Sequence, residues 1–202
     1  MQYLTSLGIG YLLGMLSPAA FFSKKKNVDM KKEGTGNLGA SNAWITLGKS
    51  YFFIIMVLDI CKSWLSAKIA WKLFPGVAAA GFVASIGAML GHIFPFYMNF
   101  KGGKGLAAFG GMVCAYDLRL AGFYIVTGLV LLLIFNHSWI LPCYAALTFP
   151  FFVWFATEDV TVTLVVVLAS VLLIIAHWEN LRNSYRGTDG SVRKEIRSRL
   201  KQ

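Results

Sequence analysis

The sequence predicts an all-α integral membrane protein: a bundle of about seven transmembrane helices, N-terminus outside and C-terminus cytoplasmic. Three observations carry that expectation. Of 202 residues, 57% are hydrophobic and only 14% charged, against about 25% charged in soluble domains. The apolar residues gather into runs close to the roughly 20 needed to cross a bilayer core of about 30 Å. The basic residues cluster in polar segments on one side of those runs, as the orientation rule for membrane loops requires. The formal charge of +10 therefore reads as attraction to anionic lipid rather than to nucleic acid.

Residues 3–22 form the first span, stopped by Lys24, Lys25 and Lys26. Its lysines follow the apolar run instead of preceding it, which argues against a cleaved signal peptide. Residues 23–48 are polar and rich in glycine and asparagine, so they read as a loop. The second span covers 51–71 and closes at Lys72, Pro75 and Gly76, and the third covers 77–97. From 105 to 176 the chain is almost continuously apolar. Breaks at Asp117-Leu118-Arg119, Phe135-Asn136-His137-Ser138 and Thr157-Glu158-Asp159 divide it into four short spans. Five spans with interrupted or re-entrant pieces is the alternative parsing.

The whole chain, 1–202, reads as one polytopic membrane domain. Charge assigns the segments 23–50, 99–105 and 177–202 to the cytoplasmic side. Three polar segments then share one face of a rigid bundle, which is where sites are built. The end of the tail, SVRKEIRSRL, reads as an amphipathic basic anchor to anionic lipid. Cys61, Cys114 and Cys143 lie in apolar segments without disulfide or metal spacing.

The segment GHIFPFYMNFKGGKG, residues 91–105, offers Lys101, Gly102, Gly103, Lys104 and Gly105 in succession. Glycines let backbone N–H groups converge on an anion, and a following helix adds its positive dipole end. A plain turn with a basic anchor is the competing reading. The first loop holds EGTGNLGASNAWITLGK, residues 33–49. There Thr35, Gly36, Asn37, Ser41 and Asn42 supply compact donors and acceptors for phosphate or sugar hydroxyls, or a turn and a helix cap.

In the second span Asp59 and Lys62 sit at i, i+3 and can face each other. Either they form a structural ion pair or Lys62 contributes to an anion site. His92 reads as a hydrogen-bonded interior histidine. His177 closes the last span and shares a helical face with Asn180. Glu179 and Asp189 add acceptors nearby. No HExxH, Cys/His cluster or GxSxG occurs, so neither a metal nor a serine-hydrolase site is expected.

These segments resemble the three motifs of the bacterial PlsY-type acyl-phosphate:glycerol-3-phosphate acyltransferases, and LDICK at 58–62 fits the same pattern. The resemblance runs over essentially the whole chain. It implies a multi-pass plasma-membrane enzyme of phospholipid synthesis with its active site facing the cytoplasm. That enzyme moves an acyl chain from acyl phosphate to glycerol 3-phosphate, making lysophosphatidic acid. It implies phosphate binding by Gly102, Gly103, Lys104 and Gly105 and substrate contacts from Thr35, Gly36, Asn37, Ser41 and Asn42. Catalytic roles fall to His177, Asn180 and Lys104. No nucleotide, metal or other cofactor, acyl-carrier protein or obligate protein partner is implied.

The chain departs from the family pattern at four places. Ile45 and Asn183 stand where arginines are usual, Asp189 replaces a glutamate, and the turn Phe135-Asn136-His137-Ser138-Trp139 lacks the usual arginine. Two other readings use the same residues. One is a paralog that binds a phosphorylated lipid or metabolite without turnover; the other is a small transporter using Asp59 and Lys62.

Overall fold

The computed structural model describes residues 1–186, and these are helical with no strand among them. The amphipathic tail and Asp189 lie outside the described residues. Helix contacts separate two compact units at the Tyr116/Asp117 junction. The first holds α1 (Gln2–Gly14), α2 (Pro18–Lys25), α3 (Ala40–Thr46), α4 (Lys49–Leu73), α5 (Ala80–Ile93), a 3₁₀ turn (Phe96–Met98) and α6 (Leu106–Tyr116). The second holds α7 (Leu118–Phe135), α8 (Ile140–Thr157), α9 (Val160–Ala176) and α10 (Trp178–Tyr185).

Every expected span is helical, but the span count is lower than the expected seven when judged by length and composition. Among the described residues four helical segments pass, with α1 and α2 together as one, and a fifth is added if α9 and α10, bent by 52°, are one span. The reasons are local. With 11 residues, α6 is about 16 Å long, half a bilayer core. Helix α4 has 25 residues but buries Asp59 and Lys62 midway.

Two further differences concern residues 3–48. The first span breaks at Met15–Ser17, where the Ser17 hydroxyl accepts the Ala20 N–H at 3.2 Å and Pro18 opens α2. Proline fits a helix start because the N–H it lacks would have no partner there. The expected loop 23–48 contains the short helix α3, entered from Gly39 in extended conformation.

In the first unit α1 and α5 meet backbone to backbone. A Cβ on Gly10 would lie 1.8 Å from the Ala84 carbonyl oxygen, and one on Gly14 2.2 Å from that of Ala88. From the other side, a Cβ on Gly87 would lie 2.2 Å from the Leu7 oxygen, and one on Gly91 2.3 Å from that of Tyr11. Each helix thus offers a Gly-x-x-x-Gly stripe to the other. In lipid, where burying apolar surface drives little association, such close approach supplies the packing. Helix α4 completes the unit against α1, α5 and α6, and Lys68 donates to the Ala115 carbonyl at the end of α6 at 2.9 Å.

A small core of Ala19, Met30, Leu38, Ala43 and Ile55, with Phe22, Tyr51 and Met98 against it, pins residues 28–38 onto α2, α3 and α4. That core positions the first polar motif. In the second unit, α7 and α8 are bridged by Tyr124–Thr148 and Thr127–Tyr144 hydroxyl pairs, each at 2.7 Å.

Candidate active site

The turn after α5 folds back on the helix it leaves. The Gly102 amide donates to the Ile93 carbonyl at 2.9 Å and the Gly103 amide to that of His92 at 3.0 Å. Both N–H groups are therefore engaged within the turn itself. Glycine is needed here for closeness. A Cβ on Gly103 would lie 2.1 Å from His92 Nε2 and 2.9 Å from the Leu38 carbonyl oxygen. Gly105 has φ +84°, a left-handed conformation that costs other residues energy. It leads directly into α6, whose first amides and positive dipole end begin beside Lys104.

The contact between Gly103 and Leu38 brings the glycine turn against the first motif within one unit. In that motif Asn42, fully buried, is a staple. Its Nδ2 donates to the Met30 carbonyl at 2.8 Å and the Glu33 carbonyl at 3.1 Å, while Oδ1 accepts the Thr35 amide at 2.8 Å. With those groups engaged, Asn42 holds the loop rather than reaching for a ligand. Gly34 and Gly36 take φ +61° and +71°, which folds Thr35 to the surface. Thr35, Gly36 and Ser41 are exposed and Asn37 half-buried.

Directly beneath the turn lies a buried cluster. Lys62 Nζ sits 2.8 Å from Asp59 Oδ1 and 2.9 Å from His92 Nδ1, and donates to the Leu16 carbonyl at 2.9 Å. An ammonium has three donors and no acceptor. Asp59 Oδ1, His92 Nδ1 and the Leu16 carbonyl oxygen surround it, and Asp59 Oδ1 also lies 3.3 Å from His92 Nδ1. Of the two readings of Asp59 and Lys62, the geometry displays the ion pair. His92 is buried and hydrogen-bonded, as its sequence position suggested.

In the second unit His177 caps α9 at the bend into α10 and is buried. Its Nδ1 lies 3.0 Å from the Leu173 carbonyl. A carbonyl only accepts, so Nδ1 carries the proton of that contact. Asn180 Nδ2 donates to Ser138 Oγ at 3.1 Å. Ser184 Oγ lies 3.2 Å from His137 Nδ1 and accepts the Trp139 indole N–H at 2.8 Å. The turn 136–139 is thus tied to the third motif through His137, Ser138 and Ser184. Sequence reasoning saw that turn mainly as a break between spans; the polar Asn-His-Ser run inside an apolar region was the available signal.

Comparison with known proteins decides the family. The glycerol-3-phosphate acyltransferase family profile matches residues 4–187. The chain belongs to this family. A glycerol-3-phosphate acyltransferase of Shewanella loihica is 35% identical over 93% of this chain and 92% of its own. One of Coxiella burnetii is 33% identical over 96% of this chain and 100% of its own. The crystal structure of PlsY, an integral membrane glycerol 3-phosphate acyltransferase, in its glycerol 3-phosphate form, superposes with a TM-score of 0.87 at 29% identity. It covers 95% of this chain and 96% of the other. The lysophosphatidic acid form gives 0.85.

Among family features, Ile45 is half-buried on α3, its Cγ2 3.0 Å from where a Gly34 Cβ would lie. Asn183 is exposed on α10. Among the described residues no group of three His, Cys, Asp or Glu is placed to hold a metal. A groove of about 540 Å³ runs along the first unit, lined by Leu16, Phe21, Phe22, Leu58 and Tyr97 among others, with Lys24 beside it.

Proposed function

We propose that the protein transfers an acyl chain from an acyl phosphate to a hydroxyl of glycerol 3-phosphate, giving lysophosphatidic acid and inorganic phosphate. The carrying observation is the packing of the Lys101–Gly105 turn against the 34–42 loop, in a chain of this family. In the proposed step the hydroxyl oxygen attacks the acyl carbonyl carbon and an ester bond forms. The bond from that carbon to the phosphate oxygen breaks. The hydroxyl proton passes to His177 or to the departing phosphate.

Lys104, with the start of α6, holds phosphate charge and stabilises the charge that develops on it. Thr35, Gly36, Asn37 and Ser41 contact the polar substrate, and Asn42 shapes that loop from behind. His177 and Asn180 orient the acceptor. Acyl phosphate is already activated, so positioning supplies much of the acceleration. The apolar groove beside Leu16 suits the acyl chain. Both units serve one polytopic domain in the bacterial plasma membrane, N-terminus outside, with the three polar segments cytoplasmic.

The test is acyl transfer from palmitoyl phosphate to labelled glycerol 3-phosphate by the purified protein. Product from the wild type, and its loss in Lys104→Ala, is the expected result. No product with phosphate binding retained would overturn the enzyme reading, and wild-type rates in Lys104→Ala would overturn the phosphate role.

A further inference from the structure

The glycine turn rests on a buried charged chain. His92 grips the turn twice: its carbonyl takes the Gly103 amide at 3.0 Å, and its ring occupies the space a Gly103 side chain would need. Behind the ring, Lys62 contacts His92 Nδ1, Asp59 Oδ1 and the Leu16 carbonyl. Leu16 belongs to the break between α1 and α2 and lines the apolar groove. One ammonium therefore ties the phosphate turn to the groove. Asp59 is 1% exposed, and Lys62 and His92 are 7% each. Apolar residues of similar volume would pack these helices without desolvating two charges. What apolar residues could not supply is one atom held against Asp59, His92 and Leu16 at once.

We infer that Asp59, Lys62 and His92 are positioning residues that fix the glycine turn and the groove break in one register. This rests on the acyltransferase reading of the site. In this inference Lys62 acts through His92 and Leu16.

The experiment uses full-length protein and measures kcat, KM for each substrate, and the thermal midpoint. Asp59→Asn/Lys62→Met removes both charges together, so no unpaired ion is left in the bundle. His92→Asn leaves the ion pair in place and an acceptor for Lys62, but withdraws the ring from Gly103. Both variants are expected to raise KM for a phosphate-bearing substrate about tenfold or more, as misplaced binding groups do. The thermal midpoint should stay close to that of the wild type. A merely structural role would lower the midpoint and the active fraction while leaving KM unmoved, and that result overturns the inference. If the double variant does not fold, His92→Asn decides alone. An inactive wild type would sink the acyltransferase reading; an active one with unmoved KM in the variants sinks only the positioning inference.

Discussion

A methyl group on Gly34 would lie 2.2 Å from Asn42 Oδ1, the oxygen that takes the Thr35 amide at 2.8 Å. The loop therefore closes around one amide side chain, and each of its ends is specified by the other. Asn42→Asp would set a carboxylate oxygen against the Met30 and Glu33 carbonyls in place of a donor. A loss of about 3 kcal/mol in folding stability is expected, since buried acceptors are left facing each other. Chemical unfolding of the purified variant measures it, and an unchanged midpoint would contradict the staple.

The seam between α1 and α5 gives a paired prediction. Gly10→Ala and Gly87→Ala place a methyl within 1.8 Å and 2.2 Å of backbone oxygen, and backbone cannot swing aside. Each should destabilise by about 2 kcal/mol or more, the order seen for overpacking. Gly8 and Gly122 have nothing within 4 Å of such a methyl. There alanine should stabilise slightly, by up to about 1 kcal/mol, through helix propensity. Thermal midpoints of the four variants, compared side by side, check both signs.

Asp117 caps α7, and the Leu120 and Arg119 amides donate to its carboxylate. These N–H groups, Leu120 first, hold its carboxyl below the ordinary aspartate value of 3.8. A depressed folded value means stabilisation that is complete above the unfolded value and lost as pH falls through the folded one. The thermal midpoint should therefore drop as pH is taken below 3.8. Asp117→Asn, which keeps an acceptor oxygen, should weaken that dependence. An identical pH profile in the two proteins would remove the cap from the explanation.

Ser138 accepts from Asn180 at 3.1 Å. Ser138→Ala withdraws one hydrogen bond from a residue assigned to acceptor orientation. A bond worth about 1 kcal/mol corresponds to roughly a fivefold fall in kcat/KM. Steady-state kinetics of acyl transfer would show it, and an unaltered kcat/KM would separate the turn from the site.

The apolar runs were legible because a bilayer imposes length and composition on any helix that crosses it. The seven residues of α3 were not, since so short a helix in a polar segment takes its stability from Ala43 and its neighbours in the small core. Glycine at 102 and 103 signalled a special backbone, yet composition does not say which way an N–H points; the Ile93 and His92 carbonyls decide that. Asp59 and Lys62 were readable as a pair through their spacing. Their partner His92 lies 30 positions further on from Lys62, beyond any local pattern. The polar turn at His137 and Ser138 was visible as an interruption and as a departure from the family pattern, but its ties to Ser184 and Asn180 were not.

The glycine seam also has a consequence for biosynthesis. Gly10 meets Ala84, and Gly91 meets Tyr11, so α1 docks on a helix made some 75 residues later. At roughly 5–20 residues per second, α1 waits on the order of several seconds to more than ten for that partner stripe. During that interval no side chain on the stripe can offer a competing contact to a passing helix. The seam is bare of side chains when idle, and selective only once its matching stripe arrives.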